Sequence, residues 1–148
     1  MKICNEMKAA DVADSFVRLV RNLATGDWFT SRISACGLFA TAYKKLRDDG
    51  YNGTDTAELR RLFVQLCDDD TPMVRRAVSS NFGTFSLEVE KEHLVSELLP
   101  LFTKLSQDDQ DSVRLLAVDN CVKIAGLLGD EESGVVETTA AWRKGFWK

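Results

Sequence analysis

The chain has 148 residues, of which 45% are hydrophobic and 28% charged, a composition that allows one buried core and excludes disordered and collagen-like classes. Nineteen basic residues against twenty-three acidic ones give a net charge of −4, so we expect no nucleic acid partner. No apolar run approaches the length of a membrane span and the N-terminus lacks an apolar signal core, so we expect no membrane partner.

Each of three repeating units begins with an amphipathic helix. Near the end of each helix stands a leucine, and the residues three, four and seven positions before it are apolar, which is the spacing of one helix face. The apolar sets are Phe16, Leu19, Val20 and Leu23; Leu59, Leu62, Phe63 and Leu66; and Leu98, Leu101, Phe102 and Leu105.

A short acidic turn and a second helix follow each first helix. The turns lead into the segments Asp27–Arg32, Asp70–Arg75 and Asp109–Arg114, whose aspartates lie 43 and 39 residues apart. Positions three, seven and ten after each arginine are apolar, namely Ala35, Phe39 and Ala42; Val78, Phe82 and Phe85; and Ala117, Cys121 and Ile124. Two helices in about 40 residues are typical of HEAT and armadillo repeats. The sequence therefore predicts an all-α superhelix, a HEAT-repeat solenoid of about three helix-turn-helix repeats with partial repeats at the ends.

The whole chain is predicted to be one solenoid domain, 1–148. Its expected parts are the end of a preceding repeat at 1–9, repeats at 10–48, 55–89 and 90–128, and the first helix of a truncated repeat at 130–148. The pattern thus indicates a piece of a longer solenoid. We expect the uncovered end faces, with Trp142, Phe146 and Trp147 near the C-terminal one, to pair between molecules; folding back of the C-terminal helix is the alternative.

The anchoring aspartates and the two prolines have predicted local roles. Asp27, Asp70 and Asp109 are expected at helix starts, where a carboxylate can accept free backbone N–H groups and meet the positive end of the helix dipole. Pro72 falls near the first helical position, where its missing N–H costs nothing. Pro100 lies inside the first helix of the third unit and is expected to bend it.

The arginines recur at one position of each unit. This recurrence of Arg32, Arg75 and Arg114 favours a structural ladder that includes Asp27, in which each guanidinium bridges acidic turns of adjacent repeats; contact with a partner is the alternative. Arg76 stands where the other units have apolar residues, so it is predicted to contact a partner.

The cysteines and the one histidine indicate no metal chemistry. Cys4, Cys36, Cys67 and Cys121 form no Cys-x-x-Cys pair. Cys36, Cys67 and Cys121 each lie in an apolar helical pattern and are expected to be buried thiols of a cytoplasmic or nuclear protein. His93 is expected on a solvated surface.

No motif for calcium or catalysis is present in the sequence. An EF-hand loop from Asp109 would need glycine at its sixth and glutamate at its twelfth position, where Arg114 and Asn120 stand. Phosphate-binding glycine loops and Gly-x-Ser-x-Gly are also missing. We therefore predict no cofactor and no enzyme activity, and a small all-helical enzyme is the alternative.

Three strings of the chain resemble the scaffold (A) subunits of protein phosphatase 2A. They are residues 26–39, 69–77 and 110–118, in the family's order and spacing, and they place the units as its fourth, fifth and sixth repeats. The resemblance implies a non-catalytic scaffold whose intra-repeat turns form a ridge that docks interchangeable regulatory B subunits. It also implies that the catalytic subunit binds repeats absent from this chain. A HEAT or armadillo-type scaffold of another pathway, such as nuclear transport, is the alternative.

The family resemblance also implies partner-binding residues at the three turns. Trp28 is predicted to be an exposed aromatic anchor, or alternatively to cap the end of the core. Pro72 and Met73 are predicted to form a rigid contact surface, or alternatively to serve only the helix start. The complete predicted set is Trp28, Phe29, Thr30, Asp70, Thr71, Pro72, Met73, Arg76, Asp109, Gln110 and Asp111. The acidic turns are expected to face a basic partner.

Overall fold

A computed structural model describes residues 8–11, 15–50 and 54–128, and every regular element in these ranges is helical. The predictions for 130–148 and for most of 1–9 lie outside the described residues. The helices are α1 (Ala9–Asp11), α2 (Val17–Ala24), α3 (Phe29–Cys36), α4 (Phe39–Asp48), α5 (Thr54–Cys67), α6 (Pro72–Glu88), α7 (Lys91–His93), a π-helical stretch (Leu94–Leu98), α8 (Leu99–Ser106) and α9 (Asp111–Leu128).

The helices form three helix-turn-helix units that stack in chain order. The pairs within the units are α2 with α3, α5 with α6, and α8 with α9. Between units, the first helices α2, α5 and α8 pack in one layer, and the second helices α3–α4, α6 and α9 pack in another. The prediction of an all-α stack of helical repeats is confirmed for the described residues. The boundaries 10–48, 55–89 and 90–128 stay a prediction.

Aromatic rings link the three units through the core. Phe39 of the first unit meets Phe63 of the second edge to face, with ring centroids 5.4 Å apart, and Phe63 stacks on Phe85 at 4.2 Å. Phe82 then approaches Phe102 of the third unit at 5.9 Å. All five side chains are at most 1% exposed, so the periodic apolar positions of the sequence form one continuous core across the repeats.

Two of the expected helices are irregular. The second helix of the first unit is divided by a turn at Gly37 and Leu38, so α3 and α4 are separate helices. In the third unit, the π-helical stretch lies directly before α8, and Pro100 is near the first position of α8. The bend expected at Pro100 stays a prediction. The π-helical hydrogen bonding directly before Pro100 is explained by the missing N–H and the ring, which exclude regular hydrogen bonding to the preceding turn.

Among the described helices, none combines the length and the apolar composition that a membrane span requires.

Candidate partner-docking edge

The three turns between first and second helices lie at one edge of the stack. They comprise residues 25–28, 68–71 and 107–110. Arginine side chains connect each of the first two turns to the turn that follows it, which brings the segments predicted around Asp27, Asp70 and Asp109 together along that edge.

Arg32 connects the first turn to the second. Its Nη1 donates to the backbone carbonyls of Gly26 at 2.8 Å and Asp27 at 2.9 Å. Its Nε lies 2.8 Å from Asp69 Oδ2 in an ion pair, and its Nη2 donates to Asp69 Oδ1 at 3.4 Å and to Thr71 Oγ1 at 3.3 Å. The guanidinium therefore closes its own turn and binds the next one.

Arg75 repeats this arrangement between the second and third turns. Its Nη1 donates to the carbonyl of Asp69 at 2.8 Å, its Nε donates to Asp108 Oδ2 at 2.7 Å, and its Nη2 donates to Asp109 Oδ1 at 2.9 Å. The side chains of Arg75 and Asp108 are only 14% and 8% exposed, so this ion pair is largely shielded from water.

Arg114 closes its own turn without a described partner in a following turn. Its Nη1 donates to the carbonyl of Asp108 at 2.5 Å, and its Nη2 pairs with Asp111 of the same unit. The arginine at this position therefore always binds its own turn, whereas the connection to a following turn is seen for Arg32 and Arg75.

The prediction that the anchoring aspartates bind backbone N–H groups is wrong for the described contacts. Trp28 and Thr71 occupy the N-caps of α3 and α6, and neither helix has a side-chain cap hydrogen bond. The carboxylates that accept from the turns belong to the preceding aspartates instead: Asp69 accepts from the Thr71 N–H at 2.9 Å, and Asp108 from the Gln110 N–H at 3.0 Å. Asp69 and Asp108 each lie two residues before the N–H that they bind. At this separation an aspartate side chain can fold back over a turn and accept from its backbone.

Asp69 and Asp108 are thus the structural aspartates that the sequence reasoning missed. The available signal was that an aspartate directly precedes Asp70 in the second turn and Asp109 in the third, and this preceding aspartate is the one that binds. Gly26 stands at this register in the first turn, so that turn offers no such carboxylate. The side chain of Asp27, which we assigned to the ladder, forms no hydrogen bond or ion pair with the described residues, and only its backbone carbonyl joins the network.

The first turn presents aromatic side chains to solvent. Trp28 is 77% exposed, so it does not cap the end of the core, and Phe29 is 38% exposed beside it. Thr30 is also exposed at the start of α3. A tryptophan this exposed on a backbone held by Arg32 is a well-positioned apolar contact.

The second turn presents a mixed surface. Asp70 and Pro72 are exposed, Met73 is 59% exposed, and Thr71 is half-buried because Arg32 binds its hydroxyl. Arg76 is exposed on the next turn of α6.

The third turn is polar. Asp109, Gln110 and Asp111 are all exposed, and two of these carboxylates are engaged by Arg75 and Arg114. The edge therefore changes along the stack from aromatic to mixed to acidic.

A cleft of about 390 Å³ opens between the first and second turns. Arg32 lies among acidic residues in its lining, which consists of Thr25, Gly26, Asp27, Arg32, Asp68, Asp69 and Asp70. Within the described ranges, no cluster of His, Cys, Asp and Glu has the composition of a metal site. The cleft is a polar recess of the turn edge, and Asp27 in its lining directly precedes Trp28 in the chain.

The cysteines and the histidine are held in structural surroundings. Cys36 and Cys67 are buried and Cys121 is half-buried, all as free thiols. Burial raises the pKa of the Cys36 thiol to about 12, so it is a poor nucleophile. His93 is half-buried rather than fully solvated, with its Nδ1 3.1 Å from Glu97 Oε1.

A second polar network, also missed by the sequence reasoning, lies between the units away from the turns. Tyr43 is fully buried, donates through Oη to Glu90, and accepts from Arg60 Nη1 at 2.9 Å. Arg60 also pairs with Glu97 at 3.2 Å. Residues of all three units therefore meet around one phenol, and no sequence periodicity marked them.

Comparison with known proteins gives a consistent result. No family model matches the chain. It is 43% identical over 127 residues to a probable serine/threonine-protein phosphatase PP2A regulatory subunit of Caenorhabditis elegans, and 42% identical over 127 residues to a PP2A regulatory (A) subunit of Schizosaccharomyces pombe; each match covers 86% of the chain and 21% of the relative. It is also 47% identical over 101 residues to the protein phosphatase 2A scaffold subunit of Dictyostelium discoideum, covering 68% of the chain and 16% of the relative.

The chain spans about a fifth of the length of the curated relatives that it matches. The helical stack, the arginine-connected turns and these identities agree with the resemblance of residues 26–39, 69–77 and 110–118. The chain belongs to the family of PP2A scaffold, or regulatory (A), subunits.

Proposed function

We propose that this chain is a non-catalytic scaffold segment that docks regulatory B subunits of protein phosphatase 2A through its turn edge. The observation that carries this proposal is the 77% exposure of Trp28 on a turn that Arg32 holds rigid. An exposed tryptophan contributes little to the stability of the fold, but its large apolar surface contributes to binding energy when a partner covers it. The relatives, which are named as regulatory or scaffold subunits, support this role over a scaffold of another pathway.

The shape of the edge supports a pre-organised docking surface. Arg32 and Arg75 join successive turns through carboxylates, so the turns cannot move independently without breaking ion pairs. A surface that is rigid before binding loses less conformational entropy when a partner docks. Trp28 and Met73 would supply apolar contacts, and the cleft between the first and second turns would receive a polar partner side chain.

Charge supports a basic partner surface. Asp27 and Asp70 are exposed on either side of the cleft, whereas Asp109 and Asp111 at the third unit are exposed but paired with Arg75 and Arg114. Arg76 is an exposed cation beside this surface and would meet an acidic or carbonyl group on the partner. Thr30, Thr71, Pro72 and Gln110 complete the proposed contact set. Such a surface predicts association that weakens as ionic strength rises.

The role is confined to one part of the phosphatase assembly. The catalytic subunit would bind repeats outside this chain, and the assembly would be cytoplasmic, with a nuclear pool as the alternative. A non-catalytic role agrees with the relatives' names, which describe regulatory and scaffold subunits.

The proposal is tested by titrating the chain against a panel of purified B subunits. Trp28→Ala is expected to weaken binding about 5–30-fold, equivalent to about 1–2 kcal/mol, with an unchanged far-ultraviolet circular dichroism spectrum. Leu87→Ala is the matched control, because Leu87 is 51% exposed near the end of α6 that lies away from the turns. Equal loss for both variants, or loss of binding only in parallel with unfolding, would contradict a docking role for Trp28.

A further inference from the structure

The exposed indole of Trp28 depends on its backbone for its direction. Trp28 is 77% exposed at the N-cap of α3, directly before Phe29. A buried side chain is oriented by the residues that pack around it, whereas a side chain this exposed has few neighbours to orient it. The direction of the indole is therefore set by the rotamer of Trp28 and by its two backbone dihedrals, φ and ψ.

Two side chains of α3 hold the peptide planes on either side of the Trp28 Cα. The plane before it contains the Asp27 carbonyl, which accepts a hydrogen bond from Arg32 Nη1 at 2.9 Å. The plane after it contains the Trp28 carbonyl, which accepts from Ser31 Oγ at 2.8 Å. Because each peptide unit is planar, holding both carbonyls restricts both φ and ψ of Trp28.

The Ser31 hydroxyl makes the shortest hydrogen bond to the Trp28 carbonyl. The backbone N–H groups of Ser31 and Arg32 also reach this oxygen, at 3.2 Å and 3.4 Å, which is at and beyond the upper end of the usual range for N–H···O bonds. Without the hydroxyl, the peptide that follows Trp28 would be held only by these longer contacts.

Gly26 makes room for the Ser31 hydroxyl. A Cβ at Gly26 would lie 2.7 Å from Ser31 Oγ and 3.3 Å from the backbone oxygen of Asn22, so a larger residue would displace the hydroxyl. Gly26 also contributes its own carbonyl, which accepts from Arg32 Nη1 at 2.8 Å. The identity of the residue at position 26 therefore decides whether Ser31 can reach the Trp28 carbonyl.

The other two turns are closed differently. At the register of the glycine they carry Asp69 and Asp108, whose carboxylates accept from backbone N–H groups of their own turns. At the register of the serine they carry Val74 and Val113, which are buried and have no hydroxyl. Among the three turns, the glycine and the serine are found together in the one that presents the tryptophan.

We infer that Ser31 and Gly26 are positioning residues that orient Trp28 for a partner, through the hydrogen bond from Ser31 Oγ to the Trp28 carbonyl. The inference rests on the proposed docking role of Trp28, since neither residue has to touch the partner itself. When the turn is already ordered, covering the indole does not have to immobilise its backbone. Loss of the hydroxyl should therefore lower the affinity without removing any apolar contact.

The test is a titration of the Ser31→Ala chain against the same panel of purified B subunits. We expect the dissociation constant to rise about threefold to tenfold, with an unchanged far-ultraviolet circular dichroism spectrum. Ser31→Thr keeps a hydroxyl and should bind like the unaltered chain. Ser34→Ala is the matched control, because Ser34 Oγ donates to the Thr30 carbonyl at 3.0 Å, further along the same helix. Equal losses for Ser31→Ala and Ser34→Ala would overturn the inference.

A double-mutant cycle separates positioning from a general structural role. In a Trp28→Ala background, Ser31→Ala should not change the dissociation constant further, because the side chain that it positions is gone. An equal rise in both backgrounds would assign Ser31 to the stability of the turn and overturn the inference. A Trp28→Ala variant that binds weakly beside a Ser31→Ala variant that binds normally would overturn the inference and leave the docking proposal intact. Normal binding of Trp28→Ala would overturn both.

The mobility of the indole provides a second measurement with a second variant. In a background of Trp142→Phe and Trp147→Phe, time-resolved fluorescence anisotropy reports Trp28 alone. Ser31→Ala and Gly26→Ala should each increase the amplitude of indole motion on the nanosecond timescale, and the matched control should not. An unchanged amplitude in both variants would contradict the role of the hydroxyl in orienting the indole.

Discussion

Asn120 of α9 inserts its side-chain amide into α6, where its Oδ1 accepts a hydrogen bond from the backbone N–H of Gly83 at 3.1 Å. Its Nδ2 donates to the carbonyl of Ser79, and Asn120 itself is only 4% exposed. One amide therefore satisfies both a donor and an acceptor of a neighbouring helix, which specifies how the third unit is aligned on the second.

Gly83→Ala is expected to destabilise the chain because of this contact. A Cβ at Gly83 would lie 2.5 Å from Asn120 Oδ1 and 2.8 Å from Lys123 Cδ, so Asn120 would have to move. The expected loss is about 1–3 kcal/mol in the free energy of unfolding, despite the better helix propensity of alanine. Gly126→Ala in α9 is the control: nothing lies within 4 Å of its Cβ, so it should stabilise the chain by roughly 0.5–1 kcal/mol. Urea unfolding measures both, and a stabilising Gly83→Ala would contradict the close contact.

Arg75→Met should destabilise the stack more than the loss of an exposed ion pair would. It keeps the aliphatic volume but leaves the Asp108 carboxylate, whose side chain is 8% exposed, without its guanidinium partner. We expect a loss of about 2–3 kcal/mol in the free energy of unfolding. Lys104→Met removes the pair with Asp68, whose side chains are 58% and 62% exposed, and should change stability by less than about 0.5 kcal/mol. Similar losses for the two variants would show that the Arg75 connection contributes little.

Acid should weaken the stack through two carboxyls that join units. Hydrogen bonds from Arg21 hold the pKa of Glu58 below its usual value. Burial acts to raise the pKa of Asp108, but hydrogen bonds from Arg75 and the Gln110 N–H outweigh it and lower that pKa. A carboxyl whose pKa is lower in the folded chain than in the unfolded chain stabilises the fold fully at pH values above the unfolded-state pKa of about 4. This stabilisation disappears as pH falls through the folded-state pKa.

The free energy of unfolding is therefore expected to decrease as pH falls below about 4, and the double variant Glu58→Gln with Asp108→Asn should show a shallower decrease. Chemical denaturation at a series of pH values provides the measurement. An identical pH dependence in the unaltered chain and the variant would mean that other carboxyls dominate acid unfolding.

Tyr43 should resist ionisation while the chain is folded. Burial, followed by its hydrogen bond to Glu90, raises the pKa of Tyr43 to about 12. The folded-state pKa of Tyr43 is higher than its unfolded-state value of about 10, so the protonated phenol stabilises the fold at pH values below about 10. This stabilisation disappears as pH rises through the folded-state pKa. In a Tyr51→Phe background, the phenolate absorbance of Tyr43 should appear with a midpoint near 12 or together with unfolding. A midpoint near 10 in the folded chain would show that the phenol is accessible to water.

The periodic apolar positions were sufficient to predict the helices and the three-unit stack, because burial of one helix face is a local property of spacing. Leu59, Phe63 and Val78 were placed in the core by that spacing and are 0% exposed. The recurring Asp-x-x-x-x-Arg segment likewise marked the position of each turn. The sequence could not predict that Arg32 pairs with Asp69 and not with Asp70, because the direction of each side chain depends on the backbone conformation of the folded turn.

What the sequence determined by itself was therefore the repeat: helix type, helix order, turn position and the residues that must be buried. What only the tertiary structure decided was contact between units, namely the Arg75–Asp108 pair, the Asn120 insertion at Gly83 and the Tyr43 network. The physical reason is the separation of the interacting residues along the chain. Helical periodicity is set by hydrogen bonds between residues four positions apart, whereas these contacts join residues more than fifteen positions apart, whose geometry exists only once the units have packed.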